Sequence, residues 1–221
     1  SLGGSQILKN GEVNIPFLKK FKQILMRNSR NCKFVVVCGG GSTARIYINA
    51  LRKINASNKL QSFVGISITR HHARFMSYFF GEDREEGIPH KMHEIENMLK
   101  QKKIIFCGAL EYHEKQTSDA TSAQIASHLK CGFINITNVS GLYNKNPLEH
   151  KDAGLIKGIT WKDFDKMANK LSFKPGQHFV LDQSASKIIM RNKIKTYIIG
   201  DLKNLDNLLN NRKFIVTIIY G

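Results

Sequence analysis

Residues 34–45 read Phe34-Val35-Val36-Val37-Cys38-Gly39-Gly40-Gly41-Ser42-Thr43-Ala44-Arg45. Five consecutive residues of high β-propensity or small apolar character predict a strand buried on both faces. Three glycines follow, then Ser42 and Thr43 as caps for a helix carrying Ala44, Ile46, Ile48, Ala50 and Leu51. Strand, glycine turn and helix together turn free backbone N–H groups toward an anion. Without Cβ atoms, the glycines let a phosphate approach the main chain. Arg45, about one turn into the helix, offers a charged fork to the same oxygens. A tight turn that binds nothing fits the same twelve residues equally well. The spacing is neither G-x-x-x-x-G-K-[ST] nor G-x-G-x-x-G.

The 221 residues suffice for one large domain, or a domain with a lobe, with a proper core. Net charge is +17, from 34 Lys and Arg against 17 Asp and Glu, which favours anionic partners. The basic residues are spread along the whole chain and travel with asparagines, a bias that genome base composition also produces. Nucleic acid is therefore not expected as the main partner. No apolar run approaches the roughly 20 residues of a membrane span, and no secretory h-region opens the chain. Cys32, Cys38, Cys107 and Cys131 lack metal-like spacing. Three of them lie in or beside apolar runs, the setting of a small buried thiol. A reducing cytoplasm is the expected location.

Ser1-Leu2-Gly3-Gly4-Ser5 opens as if partway along a first strand, so preceding residues are expected, and it forms a second candidate phosphate turn. Phe17, Leu18, Phe21, Ile24 and Leu25 keep helical spacing over 15–26, with lysines opposite. Residues 60–80 predict mostly helix with Arg70 and Arg74 on one face; 81–94 read as polar and turn-like. His90 and His93 are three apart, but no third metal ligand stands out. Lys103–Gly108 predicts a buried strand, and Thr117-Ser118-Asp119 a helix start after a polar loop. Phe133–Thr137 predicts a strand, followed by Ser-Gly and Asn-Pro turns within 138–147. Residues 148–160 read as loop, Trp161–Leu171 as helix, and Phe179–Leu181 as a strand ending at Asp182. A helix at Ser184–Arg191, a strand at Lys195–Ile199, a helix at Leu202–Leu209 and a strand at Phe214–Tyr220 complete the chain.

Strands alternating with helices make an α/β domain, in which ligands sit outside the carboxyl ends of the strands. Turns 3–5, 39–45, 108–119 and 137–147 are accordingly expected to converge on a long phosphorylated ligand, or on two ligands.

In that order, Leu2-Gly3-Gly4-Ser5, Gly39-Gly40-Gly41 with Ala44-Arg45, and Gly65-Ile66 with Ile68-Thr69-Arg70 resemble archaeal-type uridylate kinases of the amino acid kinase superfamily. So do Thr117-Ser118-Asp119-Ala120, Thr137-Asn138-Val139 with Gly141 and Tyr143, and Asp182 with Ala185, Lys187 and Ile188. The resemblance spans essentially the whole chain. It implies an α/β fold, a three-layer αβα sandwich with a largely parallel central sheet. It also implies one domain over 1–221, with a phosphate-acceptor half to about residue 130 and an ATP-binding half over 131–221. The implied activity is γ-phosphoryl transfer from ATP, with Mg²⁺, to UMP, in a cytoplasmic hexamer built as a trimer of dimers.

By the same resemblance, Gly4 and Ser5 contact ATP phosphates, and Gly40 meets the UMP phosphate. Gly41 and Arg45 hold the phosphates at the transfer point, and the loop ending at Thr117, Ser118 and Asp119 covers UMP. Thr137, Asn138, Tyr143 and Asn146 line the adenosine pocket, and Asp182 organises the cationic groups. The chain departs from the family pattern at several points. Ser42 stands where relatives usually carry Lys, and Ser62, Ser140 and Asn146 replace aspartates. Ala109 replaces a loop glycine. Lys115, Lys145 and Lys187 are the candidates to supply the missing cation.

Overall fold

The computed structural model describes residues 1–82, 87–112, 117–145, 147, 149–170 and 181–221. The chain divides into two compact units, Ser1–Ser118 and Asp119–Gly221.

The first unit opens with a single turn, α1 (Gly4–Ile7), and a small hairpin of β1 (Leu8–Lys9) and β2 (Glu12–Val13). Asn10 and Gly11 join its strands with φ of 53° and 86°, the paired positive values that let a two-residue turn match strand twist. α2 (Ile15–Asn28) follows, with a proline in its first turn and Leu18, Phe21, Ile24 and Leu25 buried along one face. β3 (Phe34–Val37) pairs in parallel with β4 (Ile104–Cys107), from Phe34 opposite Ile104 to Val37 opposite Cys107. Leu2 extends this sheet through a parallel bridge to Cys38. β4 is buried at all four positions, whereas Phe34 and Val35 of β3 are only half-buried.

Three helices follow in this unit, α3 (Gly41–Lys53), α4 (Asn58–Phe79) and α5 (Met92–Gln101), of which α4 and α5 pack on β4. α4 packs on both α3 and β4. The Ser57 hydroxyl caps α4 by accepting the Leu60 N–H at 3.3 Å. Glu94 reaches back from the first turn of α5 to accept the N–H of His90 at 2.7 Å.

The second unit carries a four-stranded sheet in the order β5 (Phe133–Ile136), β9 (Thr196–Ile199), β10 (Thr217–Tyr220), β8 (Gly158–Thr160). β5 runs parallel to β9 and β8 parallel to β10, while β9 and β10 are antiparallel. The helices are α6 (Ser118–His128), α7 (Trp161–Lys170), α8 (Gln183–Arg191) and α9 (Leu202–Leu209). Phe133, Leu142, Phe164, Leu181, Ile189, Ile198 and Ile219 form the core. A further ladder joins β6 (Leu142–Tyr143) to β7 (Leu155–Ile156). No helix among the described residues is long and apolar enough to cross a membrane.

Several sequence expectations need correction. Residues 148–160 are not all loop, since β7 and β8 lie there; strands of two or three residues are too short for alternation to register. Residues 92–94 are the first turn of α5 rather than a turn-like segment. The last strand begins at Thr217, not Phe214. Cys38 and Cys107 are buried thiols, but Cys131 is exposed and Cys32 half-buried. The strand read over Phe179–Val180 lies outside the described residues.

One hydroxyl locks the second sheet to its accessory ladder. Thr217 Oγ1 donates to the Ile156 carbonyl at 2.6 Å and accepts the Leu142 N–H at 2.8 Å. Thr217→Val keeps the shape and strands both partners, the buried Leu142 N–H and the carbonyl of half-buried Ile156. It is expected to cost about 2–4 kcal/mol, two groups at roughly 1–2 kcal/mol each, read as a lower urea midpoint with an unchanged slope.

Candidate functional site

The glycine turns of the first unit meet main chain to main chain. The Leu2 N–H donates to the Val37 carbonyl at 2.8 Å and the Gly39 N–H to the Leu2 carbonyl at 2.9 Å. These bonds set turn 3–5 beside turn 39–41. A Cβ on Gly4 would fall 2.4 Å from Gly41 N and 2.6 Å from the Gly39 carbonyl oxygen. Gly41 itself has φ of 59°, a conformation L side chains rarely adopt. A Cβ on Gly39 would stand 3.5 Å from the Oγ of Ser118, the last residue of the first unit.

α3 starts differently from the sequence expectation. Gly40 is the N-cap, and neither Ser42 nor Thr43 caps the helix; no side chain does. No side chain at the N-cap takes up the first N–H groups of the helix, and the backbone of Gly4 lies against Gly41. Ser42 and Arg45 are exposed, and Arg45 has no hydrogen-bond or ion-pair partner among the described residues. The apolar face expected on this helix is largely unburied, with Ala44 the single buried residue of α3 and Ile46 and Tyr47 exposed.

α4 forms the floor of both glycine turns. Thr69 Oγ1 accepts the Ala109 N–H at 3.0 Å and donates to the Ile66 carbonyl at 2.7 Å. A Cβ on Gly108 would meet Arg70 N at 2.5 Å. The Arg70 guanidinium donates to the carbonyls of Ala109 and Leu110. His72 Nδ1 lies 2.7 Å from the Gly39 carbonyl oxygen. Neither Thr69 nor His72 stood out as a site residue in the sequence. The available signal was two polar side chains at i and i+3 on the face that buries Ala73 and Met76.

The carboxylate census fits an anion site. Between Glu12 and Glu82 the chain has twelve lysines and arginines and no acid. Burial lowers the Arg70 pKa, while Glu94 draws it back up. Burial also holds His72 below its ordinary value, against the opposing pull of the Gly39 hydrogen bond. His90 is lowered by burial and then by Arg70.

In the second unit, the Thr137 N–H donates to the Ile199 carbonyl at 2.9 Å where β5 ends. Thr137 Oγ1 donates to Asn138 Oδ1 at 3.3 Å. Asn138 is exposed and Tyr143, in β6, is half-buried. A Cβ on Gly200 would lie 2.4 Å from the Val139 carbonyl oxygen, so this turn too is seated on a glycine. Asp182 caps α8, its Oδ1 accepting Ser184 N–H at 2.7 Å and Ala185 N–H at 3.0 Å. Of the candidate cations, Lys145 pairs with Asp152, Lys187 is exposed on α8, and Lys115 lies outside the described residues, as does Asn146. Gly4, Gly40, Gly41 and Ser118 are thus assembled around one turn system in the first unit. Thr137, Asn138, Tyr143 and Asp182 belong to the second.

Residues 1–200 match the amino acid kinase family of phosphotransferases, to which the chain belongs. Within it, the chain is similar to the uridylate kinase of Methanococcus aeolicus, 30% identical over 96% of this chain and 94% of that one. The uridylate kinase of Pyrococcus abyssi is 32% identical over 90% and 88%. The crystal structure of uridylate kinase from Archaeoglobus fulgidus superposes with a TM-score of 0.83 at 30% identity, covering 99% of this chain and 97% of that one. An aspartate kinase from Synechocystis, at 15% identity and a TM-score of 0.69, shares the fold over 39% of its length. The fold is the three-layer α/β fold of this family.

Gly4→Ala places a methyl group inside backbone. Its expected cost is about 3 kcal/mol or more, since main-chain atoms cannot rotate away, seen as a fall in thermal midpoint. The histidines make stability pH-dependent. Both titrate below 6.5 in the folded chain, so the unfolded chain binds more protons once pH falls below that value. Stability should be full above about pH 6.5 and decline toward the lower folded values. The Glu94 loss begins only below 4.5. Thermal unfolding followed from pH 7.5 to 5 checks this, and His72→Asn should flatten part of the decline.

Proposed function

We propose that this chain transfers the γ-phosphoryl group of ATP to UMP, giving UDP and ADP. The observation that carries the proposal is the uncapped start of α3, with Gly4 against Gly41 and the exposed Arg45 one turn beyond. Phosphoryl transfer needs positioning and charge neutralisation more than a covalent catalyst, and backbone N–H groups with a guanidinium provide both. In the step, an oxygen of the UMP phosphate forms a bond to the γ-phosphorus as the bond to the bridging oxygen breaks, leaving ADP.

In this reading Gly4 and Ser5 hold ATP phosphates, and Gly40 holds the UMP phosphate. Gly41 and Arg45 grip the group in transit, and the loop ending at Thr117, Ser118 and Asp119 covers UMP. Thr137, Asn138, Tyr143 and Asn146 receive adenosine, and Asp182 orients cationic side chains. The phosphate-acceptor half runs to about residue 130 and the ATP-binding half from 131. Among the described residues no group of three His, Cys, Asp or Glu could cage a metal. In this reading Mg²⁺ enters on the nucleotide phosphates. When bound, the ion neutralises phosphate charge.

Assembly into a hexamer accords with Ile46, Tyr47 and Ile54 on or beside α3, and Leu60 and Phe63 on α4, all exposed apolar residues in the single chain. A second reading is favoured by Ser42, where relatives usually carry Lys: a nucleotide-binding paralogue that does not turn over. Coupled measurement of ADP formation with each nucleoside monophosphate separates the two. Turnover with UMP is expected; calorimetric binding of ATP and UMP without turnover would establish the second reading. Arg45→Ala, at an exposed position, should leave folding intact and lower kcat/KM by about 10²-fold. A variant as active as the parent would remove Arg45 from the mechanism.

A further inference from the structure

His72 lies on α4 and is 3% exposed. Its Nδ1 faces the Gly39 carbonyl at 2.7 Å, and its buried Nε2 meets no hydrogen-bond partner among the described residues. A carbonyl oxygen only accepts, so Nδ1 must carry the proton. Burial favours the neutral ring, which leaves Nε2 as a lone pair facing nothing. A purely packing side chain would bury no such orphan acceptor. The cost is explicable by what the other ring nitrogen does.

Gly39 has both backbone groups engaged, its N–H with the Leu2 carbonyl and its C=O with His72. The peptide joining Gly39 to Gly40 is planar and trans, as no cis bond occurs among the described residues. Its C=O and the N–H of Gly40 therefore point in opposite directions. Gripping the carbonyl fixes where that N–H aims. Glycine has no side chain to restrain the turn and is otherwise free to rotate it. Thr69 supports the turn only through an apolar approach, its Cγ2 3.6 Å from a Cβ built on Gly40.

We propose that His72 is a positioning residue: by donating from Nδ1 to the Gly39 carbonyl it locks the Gly39–Gly40 peptide, so that the Gly40 N–H is held toward the acceptor phosphate. The proposal rests on the phosphoryl-transfer reading for the identity of that phosphate, but the lock itself can be tested without it. The amide nitrogen of Asn stands the same number of bonds from Cα as Nδ1, so His72→Asn keeps a donor; His72→Leu keeps bulk and loses it.

Inorganic phosphate titrated against ¹⁵N-labelled protein is the first probe. The Gly40 amide resonance should shift in the parent and in His72→Asn, and stay still in His72→Leu. With UMP as substrate, His72→Leu should raise the KM for UMP by about tenfold, the worth of one hydrogen bond, with the KM for ATP unchanged and Asn restoring the parent value. A merely structural role would lower the amount of active enzyme and move neither KM. Should His72→Leu fail to fold, long-range ¹H–¹⁵N spectra of the unaltered protein still report the ring. A proton on Nδ1 supports the lock and a proton on Nε2 alone overturns it. Equal Gly40 shifts in the Leu variant and the parent, or an Asn variant no better than Leu, would also overturn it. If UMP is not turned over but the phosphate-induced shift depends on residue 72 as described, the lock stands and the acceptor assignment falls.

Discussion

Main chain resting on main chain, where Gly4 touches Gly41, is the contact on which the first unit's turn system depends. A contact between side chains can be repacked; one between backbones leaves only glycine as a solution. It fixes the distance between the segment after Leu2 and the start of α3, and it does so without any group that would compete with an anion for the N–H donors. The parallel bridge from Leu2 to Cys38 and the hydrogen bonds flanking it hold both segments in register. The sheet supplies the rigidity, and the glycines supply the closeness.

α4 is the counterpart of that contact. Its 22 residues run beneath two turns, and at each the helix offers one polar side chain to the backbone: Thr69 to Ala109, and His72 to Gly39. Arg70, between them, spends guanidinium donors on the carbonyls of Ala109 and Leu110. Loops made of glycine are entropically loose, and hydrogen bonds from a rigid helix restrain them. Thr69 and His72 on the buried side of α4 are thus consistent with its packing, because each pairs with a main-chain group of a neighbouring turn.

Long periodic segments were legible in the sequence and short or punctuated ones were not. α2 and α9 follow the expected apolar spacing, and β4 and β5 the expected apolar runs, because each buries its apolar side chains within its own unit. α5 is masked in the sequence although Met92, Ile95, Met98 and Leu99 carry helical spacing, because it follows directly on Gly87, Pro89 and His90, residue types of turns. β7 and β8 have too few residues to show a period, and the Asn10-Gly11 hairpin strands have two residues each. Turns 3–5 and 39–45 were readable as phosphate-turn candidates, and both lie in the first unit with Gly4 against Gly41. The cap at Ser42 or Thr43 was misplaced because Gly41 adopts positive φ and starts the helix early. His72 could not be assigned from sequence: its partner is a carbonyl 33 residues away, and carbonyls leave no trace in residue type.

The chain has one tryptophan, Trp161, at the first position of α7, whose indole N–H donates to the Ile194 carbonyl at 2.9 Å. Its ring packs at the edge of the second unit's core. Tryptophan emission is therefore a spectroscopic window on that unit alone. Fluorescence will register the melting of one half of the chain and remain blind to the other, so optical unfolding curves and calorimetric ones coincide only when the two halves come apart together.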